Sequence, residues 1–413
     1  MFKKSIVVIF ASILISANCF AISLTTSFDN SKAVKDTKTV KFDSSMKSGT
    51  VINEMGFGWN LGNSLDAHTT NGNEGLNSEA SWGNPKTTEA MIKKLVSKGF
   101  KTIRVPVTWH NHLIDKKYTI DPNWMNRVKT VVDMCLKNGL YVIMNVHHDQ
   151  ADYGVSYGKG YYPRNNQKTE SEKFLLNIWS QITLAFNNGY DHHLIFETLN
   201  EPRLKGDGHE WYYQAGESNS EECVQVINEY NSLIHTVIRK SGGNNKARFL
   251  LFTSGAAAFS YVTSSGFVLP DDTSYNPKHK RILVSVHMYT PYDFAMNGDM
   301  SKNYFTQDYK NELEYNFQSL RQKFVNNGYY VVITEMGAVD KANNDQRVAW
   351  GSFYVQRARQ LGMACVVWDN NQFRTSWDAN EKFGLFHRDK LTFEPESLVN
   401  AFIQAAKTTL GKF

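Results

Sequence analysis

The chain has 413 residues, of which 41% are hydrophobic, enough to bury a large core. Its formal charge of +5 is small for that length, and no basic stripe or block of like charge points to a nucleic-acid partner. Length alone allows several domains, although α/β barrels run past 200 residues as one.

Met1 to Ala21 carries a basic head (Lys3, Lys4), an apolar run from Ile6 to Ile15 and a small-residue end. This is the pattern of a secretory signal peptide cleaved after Ala21. The run is too short to span a bilayer, so a secreted, extracellular protein without a membrane partner is expected. Cys19 would leave with it. Cys135, Cys223 and Cys365 remain, an odd number without C-x-x-C spacing, and are expected as buried free thiols. Residues 22–45 are rich in Ser, Thr, Lys and Asp and read as a flexible lead-in to one domain over 46–413.

That domain is expected to start near Val51, with a first strand over Phe57–Asn63. A helix follows Pro85, placing Met91, Ile92, Leu95 and Val96 on one face and stopping at Gly99. The next strand, Thr102–Pro106, ends in an arginine and a proline. A helix over Trp124–Lys137, closed by Asn138-Gly139, leads into Leu140–Val146 and then His147-His148-Asp149. A helix over Glu172–Asn187 feeds a strand that starts at His193, turns polar, and is stopped by Pro202, which cannot donate to a ladder. A helix over Glu221–Arg239 and strands over Arg248–Ser254, Arg281–Tyr289, Tyr329–Glu335 and Gly362–Asp369 follow. The tail after about Leu398 reads as a last amphipathic helix.

Strand alternating with helix requires a parallel sheet. Eight such units with polar residues at the strand ends predict an α/β fold, a single-domain (β/α)8 TIM barrel. An open doubly wound sheet would carry a Gly-rich phosphate turn, and neither G-x-G-x-x-G nor a P-loop is present. Asn200-Glu201 and Glu335 both close buried strands, where such barrels place their chemistry. A lone Asn-Glu-Pro reads more plainly as a cap or loop ion pair. A second stretch of the same design, Tyr330–Gly337, favours a pair of working carboxylates. Two such glutamates suit glycoside hydrolysis, which needs an acid/base and a partner carboxylate. The 9 Trp, 20 Tyr and 25 Phe also suit stacking on sugar faces.

Gly58-Trp59-Asn60-Leu61-Gly62-Asn63, Arg104-Val105-Pro106, His147-His148-Asp149, Asn200-Glu201-Pro202-Arg203, His287-Met288-Tyr289, Thr334-Glu335-Met336-Gly337 and Trp368-Asp369-Asn370 together resemble glycoside hydrolase family 5. Within it, the chain is similar to subfamily 4, the endoglucanases, xyloglucanases and lichenases. The likeness covers residues from about 50 to 405. It implies retaining endo-hydrolysis of β-1,4-linked glucans in an open cleft, with Glu201 as acid/base, Glu335 as nucleophile, and no metal or other cofactor. A β-glucan partner and a monomer are expected.

Arg104 is the natural cation to keep one carboxylate ionised. Tyr289 can donate its hydroxyl to the same carboxylate, Asn200 offers an amide to a sugar 2-hydroxyl, and Trp368 offers a ring face. His147, His148 and His287, with Asp149 nearby, can be read as metal ligands. A metal-dependent amidohydrolase on this barrel would show His-x-His at the end of the first strand, where this chain has Asn60-Leu61-Gly62-Asn63. Hydrogen bonding to substrate or to the glutamates is therefore expected of these histidines. Glu197 shares a face with Glu201 by period two and reads as a barrel-interior carboxylate paired with a cation. By family position, Asp149 and Asp369 belong behind the residues that touch substrate. Trp82, Trp109, Trp211 and Trp377 are candidates to line sugar subsites, and the loop from Asp152 to Pro163 reads as a mobile cleft wall. Thr253–Ala258 and Thr334 depart from the family's pattern. A catalytically silent carbohydrate-binding barrel and a xylanase or mannanase remain as alternatives.

Overall fold

The computed structural model describes residues 24–69, 75–375 and 378–412. Eight parallel strands close into a barrel in chain order: Phe57–Asn60 (β1), Thr102–Val105 (β2), Tyr141–Asn145 (β3), Leu194–Glu197 (β4), Leu250–Phe252 (β5), Ile282–His287 (β6), Val331–Met336 (β7) and Met363–Val367 (β8). The β1–β8 ladder, with Phe57 against Cys365 and Trp59 against Val367, completes the ring. The strands are shorter than the apolar runs that announce them, because the chain leaves the ladder early to build the loops of the barrel mouth. β4, for instance, ends at Glu197, four residues before Glu201.

Alternation sorts the side chains into two apolar layers. Ile103, Val105, Val142, Met144, Leu194, Phe196, Val284 and Val286 face the helices, while Ile143, Ile195, Leu251, Leu283, Val332 and Val366 fill the barrel. Gly58 is required inside, since a Cβ there would lie 2.8 Å from a Val366 methyl. Above this interior layer the inward positions turn polar.

The helices begin where their caps lie. Thr88 accepts from the Met91 amide ahead of Glu89–Lys98, and Gly99 ends that helix in a left-handed conformation. Asp121 caps Pro122–Lys137, so that helix starts two residues before Trp124, with Pro122 in its first turn. Lys168–Ala185 and Ser218–Lys240 also start ahead of their apolar periodicity.

Two expectations at the amino-terminal side are revised. Val51 and Ile52 belong to a short helix, Ser48–Glu54, that plugs the bottom of the barrel against Tyr141, Ile143 and Tyr330. Residues 24–45, expected to be flexible, are strapped to the helix layer. The Ser27 amide donates to Asn177 Oδ1 (2.7 Å), the Asp36 amide to the Leu184 carbonyl (2.7 Å) and the Val40 amide to the Asn188 carbonyl (2.8 Å). Backbone amides, paired with carbonyls and with polar side chains, hold a segment whose composition offers little to bury. Residues 1–21, with the expected signal peptide, lie outside the described residues. Cys135, Cys223 and Cys365 are buried free thiols. Among the described residues, no helix is long and apolar enough to cross a membrane.

Candidate active site

Six inward polar side chains floor the barrel mouth: Asn60, Arg104, Asn145, Glu197, Ser285 and Thr334, all fully buried. Arg104 sits at their centre. Its Nε donates to Glu197 Oε2 (2.7 Å), Nη1 to Glu335 Oε1 (2.7 Å) and to Asn60 Oδ1 (2.9 Å), and Nη2 to Asn200 Oδ1 (2.6 Å). The fork geometry of a guanidinium allows one side chain to hold four acceptors. Glu197 is thus the interior carboxylate paired with a cation that its period-two position indicates.

Glu335 is 5% exposed, and its second oxygen accepts the Tyr289 hydroxyl at 2.8 Å. It reaches this position through an irregularity in β7. Thr334 points inward, bonding Ser285 Oγ at 2.6 Å, and strict alternation would send the next residue outward. The β6–β7 register instead shifts between Val286 and His287, and His287 pairs with Glu335. The extra residue re-aims Glu335 into the mouth.

Glu201 lies in the loop after β4 and accepts from His287 Nδ1 at 2.8 Å. His287 Nε2 faces Arg104 Nη2 at 3.5 Å; a guanidinium can only donate, so the proton of a neutral His287 ring belongs on Nδ1. Burial, the largest influence, pushes the Glu201 carboxyl up, but the His287 bond, the Arg203 charge and the neighbouring imidazoles together outweigh it. Glu201 therefore lies below the usual carboxylate range. His287 Nδ1 is also 3.5 Å from Glu335 Oε2. One donor atom each of Glu201, His287 and Glu335 lie within 4.8 Å of one another. The Asn200-Glu201-Pro202 turn is braced from behind, because the Ala256 amide donates to the Pro202 carbonyl at 2.9 Å.

The opposite wall carries rings. Trp368 stacks parallel to His147, centroids 6.1 Å apart at 2°. It lies against Gly62, where a Cβ would come within 2.8 Å of the indole. Asn145 Oδ1 takes the Val107 amide, so its Nδ2 must be what donates to His147 Nδ1 (3.0 Å). His147 is neutral, pushed well down by burial, and keeps Nε2–H to donate. His148, also pushed down by burial, to about 3, stands with His68 and Trp82 in a cluster of rings. Asp66 Oδ2 lies 3.9 Å from His148 Nε2, and burial raises the Asp66 carboxyl to about 6.

All nine residues singled out from sequence therefore surround one mouth. Asp149 and Asp369 are fully buried behind it, accepting from the Trp109 amide and from Trp59 Nε1 respectively. Other expectations change. Trp109 is fully buried with Nε1 on the Asn145 carbonyl, so it packs and faces no subsite. Trp82 is half-buried, and Trp211 is 55% exposed with Arg203 over its ring. Trp377 lies outside the described residues. The Asp152–Pro163 loop is anchored at its far end, where Tyr161 is buried and its amide donates to the Asp149 carbonyl, while Tyr153 is exposed. Sequence reasoning missed Asn60, Asn145, Ser285, Asp66 and His68. The period-two argument used for Glu197, applied to every strand, would have found the first three.

Residues 65–374 match the family model for cellulase (glycosyl hydrolase family 5). The chain belongs to glycosyl hydrolase family 5. It is 40% identical over 369 residues to endoglucanase A of Clostridium longisporum, covering 88% of this chain and 67% of that one. It is 38% identical over 360 residues to endoglucanase B of Ruminococcus albus, covering 87% and 80%. Among solved structures, it is similar to a GH5-4 broad specificity endoglucanase from Ruminococcus champanellensis with bound cellotriose (39% identity, TM-score 0.79, 88% of this chain and 100% of that one). It is likewise similar to a mutant family 5 lichenase from Caldicellulosiruptor sp. F32 in complex with cellotetraose (36%, TM-score 0.81, 92% and 100%). This family 5 enzyme is a glycoside hydrolase of the endoglucanase type acting on β-glucans.

Proposed function

We propose that the enzyme is a secreted, monomeric, retaining endo-β-1,4-glucanase with Glu201 as acid/base and Glu335 as nucleophile. The observation that carries this reading is the approach of the two carboxylates, whose nearest oxygens lie within 4.8 Å. Retaining enzymes hold their carboxyls about 5–5.5 Å apart, whereas inverting ones leave roughly 6.5–9.5 Å for a water.

Their surroundings favour this order of roles. Glu335, fixed by Arg104 and Tyr289, is held oriented for attack. Among the described residues Glu201 has a single side-chain partner, His287, and it stands on the more open side, its side chain 18% exposed. In the first step a Glu335 oxygen bonds the anomeric carbon as the glycosidic C–O bond breaks. The electron pair leaves with the aglycone oxygen, which takes the proton of Glu201. In the second, Glu201 removes a proton from water, the water oxygen bonds the anomeric carbon, and the Glu335 ester bond breaks. His287 keeps the Glu201 carboxyl low, and a bound sugar that displaces water from Glu201 favours its protonated form. Trp368 offers the bound sugar a ring face, and His147 Nε2–H and the Asn200 amide offer donors.

The cello-oligosaccharides in the structural neighbours support a β-1,4-glucan backbone as substrate: cellulose, mixed-linkage glucan or xyloglucan. Initial rates on carboxymethylcellulose, mixed-linkage glucan, xyloglucan, xylan and mannan test this. A mannan or xylan rate above every glucan rate overturns the choice, and no reducing-sugar release on any glucan makes the protein a binding barrel. Secretion rests on residues 1–21, and sequencing the exported protein should give Ile22 as its first residue.

A further inference from the structure

Glu197 has no place in the two steps above, yet it is fully buried and makes three side-chain bonds. Its Oε2 accepts Arg104 Nε at 2.7 Å and Asn145 Nδ2 at 2.9 Å, and its Oε1 accepts the Ser285 hydroxyl at 2.6 Å. Ser285 spends its only proton on Glu197, so Thr334 donates to Ser285. Thr334 is the residue directly before Glu335. Arg104 is thus shared between two carboxylates, Glu197 on one edge and Glu335 on the other.

We propose that Glu197 is a positioning residue for the nucleophile: by competing for Arg104 it lets the guanidinium orient Glu335 without fully neutralising it. The inference rests on the reading of Glu335 as nucleophile. A carboxylate facing an undivided guanidinium is a poorer base, hence slower to attack the anomeric carbon and faster to leave it. Glu197 therefore sets the balance between the two half-reactions. The groups that face Glu335 are Arg104 from β2, His287 from β6, Tyr289 from the loop after it, and Glu201 from the loop after β4. Those that face Glu197 are Arg104, Asn145 and Ser285. Among the described residues, Arg104 alone bonds both carboxylates.

Glu197→Gln removes the charge and can keep the bonds. The amide oxygen takes the Oε2 position, its NH2 donates to Ser285, and the Ser285 proton turns to Thr334. In the full chain the variant should form the glycosyl-enzyme from a substrate with a poor leaving group at least tenfold more slowly. With a dinitrophenyl cellobioside, where breakdown of the intermediate limits, turnover should hold or rise. The acidic limb of kcat/KM should move to lower pH by about one unit. Ser285→Ala acts in the opposite sense. It strips a donor from Glu197, which then draws Arg104 more strongly, and the acidic limb should move to higher pH by a smaller amount. This variant carries the test alone if Glu197→Gln does not fold. Trapping with a 2-deoxy-2-fluoro-cellobioside separates the two readings. A label away from Glu335 overturns the nucleophile assignment and this inference with it. A label on Glu335, with both half-reactions slowed alike and the acidic limb unmoved in the variants, overturns this inference alone and leaves Glu197 a structural residue.

Discussion

Glu335 pairs with His287 in the β6–β7 ladder, although the preceding pair is Val286 with Ile333, so Thr334 is an extra residue on β7. Two consecutive side chains, Thr334 and Glu335, consequently serve the same mouth, while Met336 returns to the helix-facing layer. The bulge brings the second carboxylate within reach of Arg104, Tyr289 and Glu201 together.

The backbone holds that bulge, so Thr334→Gly should preserve it. The substitution removes the buried Thr334 methyl and the hydroxyl that donates to Ser285, and Ser285 can still donate to Glu197. Activity should stay within a few-fold of wild type while urea unfolding shows a loss of about 2–3 kcal/mol from the lost methyl, hydrogen bond and backbone restriction. A hundredfold loss of kcat/KM would mean the threonine side chain, not the backbone, aims Glu335.

Arg104→Met should be far more severe. It leaves Glu197 and Glu335 buried without their cation, and breaking such a pair costs about 3–5 kcal/mol. Activity should fall with stability, since Glu335 also loses its orientation. A loss below about 1 kcal/mol in urea titration would show that water reaches both carboxylates.

The strands were legible because each is an apolar run closed by glycine, proline or a polar cluster, and the residues of the mouth because they stand where those runs end. The β7 bulge was not legible: Thr334-Glu335 reads as simple alternation, and only the register with β6 reveals the shift. Trp109 illustrates another limit. A tryptophan after a strand top looks the same in sequence whether it faces a cleft or, as here, packs over Asn145. The strap over residues 24–45 escaped for a third reason, since its hold comes from backbone amides and from polar side chains such as Asp36 and Asn177, whose partners lie about 150 residues away along the chain.

With Glu201 as the proposed acid, His287 should govern the alkaline side of the pH profile. It holds Glu201 below the usual carboxylate range, so His287→Phe should let that carboxyl rise. The free enzyme then keeps its acid protonated to higher pH, and the alkaline limb of kcat/KM should move upward. In wild type the same limb should lie at lower pH in kcat/KM than in kcat, because bound sugar excludes water from Glu201. A limb unmoved by the substitution would place the acid elsewhere.

Asp66 gives a stability prediction with a definite sign. Its carboxyl rises from 3.8 to about 6 on folding because burial outweighs the amide bonds from Ser64 and Asn63. A raised value favours the protonated form in the folded state. Its contribution is complete below pH 3.8 and is lost as pH rises through 6, a change of roughly 3 kcal/mol. Asp66→Asn cannot ionise, so the stability of wild type relative to the variant should drop by about that amount between pH 4 and 7. Equal differences at the two pH values in urea titration would remove Asp66 as the cause.

The two glutamates can be told apart by stereochemistry. Glu335→Gly opens a hole on the α face of the sugar, where azide can displace an activated aryl group in one inversion and give an α-glycosyl azide. Glu201→Ala should still form the Glu335 ester from the same substrate, because a good leaving group needs no proton. Azide then attacks that ester from the opposite face, and two inversions give a β-glycosyl azide. The coupling constant of the anomeric proton distinguishes the products. An α product from the Glu201 variant with a β product from the Glu335 variant would exchange the two roles. Arg104 and Tyr289 would then be gripping the acid, and His287 the nucleophile.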